Sequence, residues 1–497
     1  MHIAFLNAHG NFDPQDRYWT AHPDFGGQLV YVKEASLALG RMGHRVDIVT
    51  RQIVDPQWPG FDSRFDGYPG ELNVRIVRLP FGGQGFRRKQ DLWPYIGPEW
   101  VPAIEAFYAD EGQLPNAATS HYADAGLAAA LWRARGGPPF TFTAHSLGAQ
   151  KLERLLVHNH TTLGELDAEF FFARRIAAER AAASHADRII TSTHQERTVQ
   201  YGHAAYRDAV DPADDRRFAV VSPGVNLHIF DAGVHGPDDE RIARRVEQIL
   251  ERDITSERRG LPAVICSSRL EPKKNHIGLV LAFARSAELR AAANLLLVVR
   301  GTEDLRSGMG LARHERPVME EIVASCEAYG LWGSVAAISL EGQSELAAAY
   351  RHLAQRRSAF ALTALYEPFG LAPLEAAAAG LPVAVTCNGG PGETLREADT
   401  GEEYAVLVDP SDPADIAAGL LRLVGSEDRW RHFQAAGRRR VLDRFTWEHT
   451  AQGYLSVLEA IATAAPRSGL AMPRYFTEPA PEHDLGLGEL RRIFEGG

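Results

Sequence analysis

Apolar residues fall along this chain in short continuous runs that alternate with stretches of helical period. The run at 2–6 reads as a buried strand, and Asp24-Phe-Gly-Gly-Gln28 then opens a helical pattern with Val32, Ala35 and Leu39 at spacings of three and four. Gly43 ends that pattern, and 45–50 reads as the next strand. A strand, glycine loop, helix and strand in that order predict a parallel sheet. Further strands are predicted at 73–79, 116–120, 140–143 and 187–191, with helices over 124–135 and 165–184. The charged segment 233–260 has no strand pattern and reads as a linker carrying one exposed helix.

A second alternation follows. Strands are predicted at 263–266, 295–299, 335–340, 358–362, 382–385 and 404–408. Helices are predicted at 277–289, 314–329, 344–355, 372–379 and 413–424, then helices alone at 427–444 and 447–463. The tail from Ala465 is rich in Pro, Gly and Glu and reads as poorly ordered outside 485–494. The expected organisation is α/β, with two doubly wound Rossmann-like domains facing each other across a cleft. Residues 1–240 form the first and 241–445 the second, 446–465 are a helix packing back on the first, and 466–497 are a tail. Open α/β sheets bind ligands at the carboxyl ends of their strands. Two such edges suit an enzyme with two substrates.

Composition narrows the class. A chain of 497 residues exceeds one core, and 45% hydrophobic with 24% charged residues fits a globular protein. No stretch approaches the apolar length of a membrane span, and the N-terminus lacks the features of a signal peptide. Cys266, Cys326 and Cys387 are odd in number and far apart, which predicts reduced thiols in a cytoplasmic protein. A net charge of −11 argues against broad nucleic-acid binding. Neither a membrane nor a nucleic acid is an expected partner.

The candidate chemistry lies on loops after predicted strands. Glu367-Pro-Phe-Gly-Leu-Ala-Pro-Leu-Glu375 places one carboxylate in a loop and a second about two helical turns on. One suits donor-sugar hydroxyls and the other a ribose, although spacing alone equally fits a solvated pair. Gly370 lets backbone amides approach an anion, and the uncharged run after Glu375 predicts a buried helix where that carboxylate needs a partner. Arg269 and Lys274 stand in Ser267-Ser-Arg-Leu-Glu-Pro-Lys-Lys-Asn275, where fixed cations would stabilise a leaving diphosphate; a polar surface loop is the plainer alternative. Gly26-Gly27 lacks a full dinucleotide fingerprint, so it is either a left-handed turn or a helix start facing a phosphate. His145 ends the strand at 140–143, where it suits a sugar hydroxyl or, through its carbonyl, charge at an anomeric carbon. Ser146 is not in a hydrolase elbow. His121 and Asp124 with His145 suggest a metal only weakly, and none is expected. Lys89, Lys151 and Arg174-Arg175 are scattered cations, each a surface charge unless they converge on one phosphate.

With these motifs in place, residues 2–463 resemble the sucrose-phosphate synthases, retaining GT-B glycosyltransferases of glycosyltransferase family 4. The glutamate-spaced segment, the Arg269/Lys274 loop and Asn388-Gly-Gly-Pro391 are shared by retaining nucleotide-sugar transferases in general. The acceptor signal lies in Asp24–Lys33, Leu92-Trp-Pro-Tyr95, His121-Tyr-Ala-Asp-Ala-Gly126, His145-Ser-Leu-Gly148 with Lys151, and Arg174-Arg-Ile-Ala-Ala-Glu179. The resemblance implies UDP-glucose, or another nucleoside diphosphate glucose, as donor and fructose 6-phosphate as acceptor, with no cofactor. It implies that Gly27, Arg269, Lys274, Leu371 and Glu375 hold the nucleotide. His145 and Glu367 would hold the transferred sugar, and with Arg269 and Lys274 they make up the catalytic set. Gln28, Lys89, Tyr122, Lys151 and Arg175 would hold the acceptor. An internal-return path without a bound metal is implied, in which a phosphate oxygen takes the acceptor proton. Ala144 and the wording of Gly301-Thr-Glu-Asp-Leu-Arg306 depart from the family pattern without removing a functional group. No long N-terminal extension and no phosphatase module is expected, so a separate sucrose-phosphate phosphatase is the implied pathway partner. The alternatives are mannosylfructose-phosphate synthase, sucrose synthase and, from another class, a non-catalytic nucleotide-sugar sensor.

Overall fold

Strand β1 (His2–Leu6) is fully buried because its side chains feed two cores at once. Ile3 and Phe5 pack with Val32, Ala35 and Tyr454 on one face. Ala4 and Leu6 pack with Trp100, Ala125 and Leu127 on the other. A strand covered on both faces needs a continuous apolar run, which is what the sequence has there. In this computed structural model β1 is flanked by β2 (Arg45–Arg51) and β5 (Ala117–His121), both parallel to it. The structure describes residues 1–19, 22, 24–158, 161–397 and 399–495.

The first sheet adds β3 (Phe65–Gly67), β4 (Val74–Leu79), β6 (Phe140–Thr143), β7 (Arg188–Thr191) and β8 (Phe218–Val220), in the order β3-β4-β2-β1-β5-β6-β7-β8. Only β3 is antiparallel, paired to β4. Strands β3 and β8 were not predicted; each has three residues, too few to carry a periodic signal. The second sheet contains β9 (Ala263–Ser267), β10 (Asn294–Val298), β11 (Val335–Ile338), β12 (Ala359–Leu362), β13 (Val383–Thr386) and β14 (Val406–Val408). Its order is β11-β10-β9-β12-β13-β14, parallel throughout. Both sheets are doubly wound, so each presents its loops at the carboxyl ends of central strands.

The chain divides into one unit of Met1–Ser222 with Trp447–Gly497 and another of Pro223–Thr446. The division therefore falls before position 240. The segment 233–260, read as a linker with an exposed helix and already placed from 241 onward in the second domain, lies wholly in the second unit, and its helix is not simply exposed. Its helix Asp239–Asp253 buries Ile242, Val246, Ile249 and Leu250, a stripe hidden among charged residues that set the segment's overall composition.

Two further expectations are corrected. The helix predicted over 165–184 is two helices, Leu163–Phe170 and Phe172–His185, hinged at Phe171 with φ of 51°. The Asp167 carboxylate accepts from the backbone N–H of Ala173 at 2.8 Å and so starts the second helix afresh. The tail is packed: Tyr475, Phe476 and Leu490 belong to the core of the first unit. Gly97 leaves no room for a side chain beneath it, since a Cβ there would lie 1.8 Å from the Phe476 carbonyl oxygen. Arg174 grips Asp484 through two hydrogen bonds of 2.9 Å and stacks on Tyr475, which adds a charge-assisted clasp.

Phe476→Ala is expected to lower the unfolding free energy of the first unit by about 3–5 kcal/mol, the usual range for a buried Phe. Leu72→Ala, at a side chain 98% exposed, should stay within about 0.5 kcal/mol. Denaturant titration decides this, and equal effects from both variants would mean the tail is not part of the core.

Candidate active site

The sequence scattered its cations, and the first fold unit gathers them. Lys89, Tyr122, Lys151 and Arg175 line one pocket, together with Gln90, Trp93, Asp124, Phe170 and Phe172. Lys89 stands on the short helical turn Lys89–Asp91 and is held by Asp24, which accepts from its backbone N–H at 3.0 Å and faces its Nζ at 3.4 Å. Tyr122 follows β5 directly, with φ of 75°, which turns the chain sharply at the carboxyl edge. The Arg175 guanidinium lies 4.7 Å from the Tyr122 ring centre, and the Lys89 ammonium 5.5 Å from it. The Lys151 ammonium lies 4.9 Å from the Phe170 ring centre. The hinge at Phe171 thus sets the two aromatic walls on either side of it.

Glu179 fixes this arrangement from below. It is 1% exposed and accepts from Arg175 Nε at 2.8 Å, from the backbone N–H of Gly148 at 2.9 Å, and from the Tyr206 hydroxyl at 2.5 Å. Gly148 opens the helix that carries Lys151. One buried carboxylate therefore satisfies a helix N-terminus and orients a guanidinium, whose Nη2 donates to the Ser146 carbonyl at 2.7 Å.

Beside the pocket, His145 has φ of 57°, an unusual backbone for a non-glycine residue. Its Nε2 lies 2.9 Å from Nδ1 of His121, which ends β5. Burial, with a smaller contribution from His9, holds the His145 imidazole down at about 3, so the ring is neutral at physiological pH. Burial likewise holds His121 well below its ordinary value. Gln28 donates to the Asn7 side-chain oxygen at 2.6 Å and to the His121 carbonyl at 3.4 Å. Gly26 and Gly27 do not adopt left-handed backbone; they open helix Gly27–Arg41 with no side-chain cap, and a Cβ on either would meet nothing within 4 Å. That leaves exposed amides above a helix start.

In the second unit, Lys274 and Glu367 form an ion pair of 2.8 Å, both partly buried. Lys274 sits after β9 and Glu367 after β12. Asn275, with φ of 54°, caps the next helix and donates to the carbonyls of Thr363 and Pro410 at 3.0 and 2.8 Å, which ties the loops together. Glu367 is fixed at its backbone: its N–H donates to the Asn388 carbonyl and its carbonyl accepts from Gly390 N–H. Gly389 must be glycine, because a Cβ there would lie 2.0 Å from the Glu367 carbonyl oxygen. Leu371 is the first residue of helix Leu371–Ala378 behind Gly370, and Glu375 lies on that helix. Burial pushes Glu375 up to about 8, and the Gln343 amide is 3.5 Å from its oxygen. Arg269 is not drawn to the Lys274–Glu367 pair; it is largely exposed and bonded to Glu271 at 3.0 Å.

Asp24, Glu179, Asn275 and Gln343 were not singled out from sequence. For Glu179 the signal was present as an i,i+4 spacing from Arg175. His9, also missed, engages Asp124 at 2.6 Å, and His121 engages His145. Among the described residues no group of three or more His, Cys, Asp or Glu is disposed to hold a metal.

The family models follow this division. "Glycosyl transferases group 1" matches residues 247–440, and "Glycosyl transferase 4-like domain" matches 26–199. Two doubly wound parallel sheets bearing these models define a glycosyltransferase of the GT-B fold. The chain is 39% identical over 476 residues to a probable sucrose-phosphate synthase of Thermosipho melanesiensis, covering 96% of this chain and 99% of that one. It is 31% identical over 527 residues to a probable sucrose-phosphate synthase of Vicia faba, covering 94% of this chain but 48% of the plant protein, so it spans about half the plant relative's length. The chain belongs to the sucrose-phosphate synthase family. Among solved structures, a sucrose-phosphate synthase from Thermosynechococcus elongatus aligns with TM-score 0.65 at 24% identity, covering 94% of this chain and all of that one. The catalytic domain of starch synthase IV from Arabidopsis thaliana, bound to ADP and acarbose, aligns with TM-score 0.63 at 15% identity over 93% of this chain and 99% of that one. No described helix is long and apolar enough to cross a membrane.

Burial gives a pH signature. His276 is 1% exposed, and burial, with a smaller contribution from Lys274, holds it down at about 4. A histidine depressed in the fold favours the folded state above its unfolded value of roughly 6.5, and loses that contribution as pH falls toward 4. Between those limits the unfolding free energy of the parent should fall more steeply with acid than that of His276→Gln, by at most about 1.4 kcal/mol per pH unit. Parallel denaturant titrations across that range measure the difference, and identical slopes would refute it.

Proposed function

We propose that the chain transfers the glucosyl group of UDP-glucose, or of another nucleoside diphosphate glucose, to fructose 6-phosphate with retention, giving sucrose 6-phosphate. The observation that carries this reading is the meeting of Lys89, Lys151 and Arg175 around Tyr122 in one pocket of the first unit. Three cations at one pocket suit a sugar phosphate, whereas a free hexose needs none. Gln28 completes the acceptor side in this reading. Family membership supports the same acceptor class through a relative named for a phosphorylated product. A nucleotide donor is supported by the ADP-bound starch synthase of the same fold.

On the donor side, Gly27, Arg269, Lys274, Leu371 and Glu375 are assigned to the nucleotide. Lys274 neutralises charge that grows on the diphosphate as the C1–oxygen bond breaks. The acceptor hydroxyl forms its bond to C1 on the face the diphosphate leaves, and its proton passes to a phosphate oxygen of the leaving group. His145 and Glu367 are each assigned to the transferred sugar. His145 is neutral at working pH and acts as a hydrogen-bonding group rather than a charge. The Lys274–Glu367 pair supports this division of labour, because it holds each group ready with its charge balanced. The product keeps its phosphate, so a separate phosphatase consumes it. The free thiols Cys266, Cys326 and Cys387 fit a cytoplasmic setting.

A panel of UDP-, ADP- and GDP-sugars against fructose 6-phosphate, with product mass and anomeric configuration read out, tests the assignment. Free fructose reacting as well as fructose 6-phosphate would sink the acceptor reading. Lys151→Ala should raise the acceptor KM about 10–100-fold, the worth of a charged hydrogen bond, with little change in kcat; an unchanged KM contradicts its role. Lys274→Ala should cut kcat about 100–1,000-fold, and near-parental turnover would remove the diphosphate role.

A further inference from the structure

We propose that His121 is a positioning residue for glycosyl transfer: it donates a hydrogen bond from Nδ1 to Nε2 of His145 and so locks the His145 ring in the tautomer that carries its proton on Nδ1. The proposal rests on the reading of His145 as a sugar-contacting group.

His121 cannot touch a substrate, since its side chain is fully buried between Phe5 and Tyr454. Its two ring nitrogens nevertheless both have polar partners. Nδ1 lies 2.9 Å from His145 Nε2, and Nε2 lies 3.2 Å from Thr119 Oγ1. The Thr119 hydroxyl in turn accepts from the Thr141 hydroxyl at 2.9 Å. The Thr119 hydroxyl keeps one proton and one acceptor position, which it shares between His121 Nε2 and the neighbouring Tyr454 hydroxyl, and the arrangement assigned here is donation to Nε2. That nitrogen is then the acceptor, and the single proton of a neutral His121 sits on Nδ1, aimed at His145. The path from Thr141 through Thr119 to His121 joins β6 to β5, two neighbouring strands in which Thr119 and Thr141 are paired in register, so the sheet fixes which groups meet.

Two features show that the pair is held in place. His145 takes a left-handed backbone, and its ring meets that of His121 with 5.1 Å between ring centres and 27° between ring planes, so the two nitrogens face each other edge to edge. Tyr31 closes against the edge of the His145 ring at 4.9 Å. Burial keeps both imidazoles neutral, so the tautomer, and not the charge, is the variable that remains. A group that must present a donor to a sugar oxygen is useless in the wrong tautomer, and a hydrogen bond to the opposite nitrogen is the usual way to choose it.

The test compares His121→Asn with His121→Phe. The Asn amide nitrogen stands near the position of Nδ1 and keeps a donor toward His145, but leaves a void beside Phe5. Phe fills the ring space and donates nothing. Positioning predicts that His121→Phe lowers kcat about 10–100-fold with donor and acceptor KM little changed, while His121→Asn recovers most of kcat despite a lower melting temperature. A packing role predicts the reverse order, and that order would overturn the proposal. Imidazole nitrogen NMR of the full chain, with the His145 signals identified by their loss in His145→Gln, reads the tautomer directly. The expected result is Nδ1–H in the parent and in His121→Asn, and a mixture in His121→Phe. A proton on Nε2 of His145 in the parent, or no change in His121→Phe, would refute the hydrogen-bond assignment. If instead the tautomer responds as expected but His145→Gln keeps full turnover, the failure lies in the sugar-contact reading on which the functional half depends, and that half falls with it.

Discussion

Parallel strand pairing is the constraint on which everything else in this protein hangs. Except for the edge strand Phe65–Gly67, strands run alongside their neighbours in the same direction, so their carboxyl ends share one edge in each sheet. Loops after those ends inherit that position. His121 and Tyr122 follow β5, and His145 follows β6. In the other unit Lys274 follows β9 and Glu367 follows β12. Residues far apart in the chain are thereby delivered to a common edge without any direct attraction between them.

Proximity alone does not aim a side chain, and here the aiming is done by buried polar groups that are fully engaged. Glu179 spends its carboxylate on Arg175, on the start of the helix bearing Lys151, and on Tyr206. An unpaired carboxylate at that depth would be strongly unfavourable, so the partners are compelled as much as attracted. In the second unit Asn275, only partly buried, ties two loops together by donating its neutral amide to their carbonyls. The site groups that remain partly exposed, such as Lys274 and Glu367, balance one another's charge.

Much of this was legible beforehand for physical reasons. Continuous apolar runs predicted the long strands because a strand covered on both faces has no polar side to show. The glycines of Asn388-Gly-Gly-Pro391 and the glutamates at 367 and 375 stood out because close backbone approach and paired carboxylates leave compositional marks. The short strands β3 and β8, the break at Phe171 and the packed tail left no such marks. In each case a few contacts from distant residues decided the outcome: Asp167 capping Ala173, or Phe476 settling over Gly97.

By itself, then, the sequence determined two doubly wound sheets, the loops that carry the chemistry and the residue types available on them, because local periodicity and glycine punctuation depend on neighbours in the chain. Only the tertiary structure decided that Lys89, Lys151 and Arg175 share one pocket, that Arg269 turns instead to Glu271, that helix Asp239–Asp253 buries an apolar stripe, and that a histidine ending β5 and one following β6 form a single hydrogen-bonded pair. Each of those depends on strand register and on burial, which fix distances between residues whose separation along the chain carries no information about them.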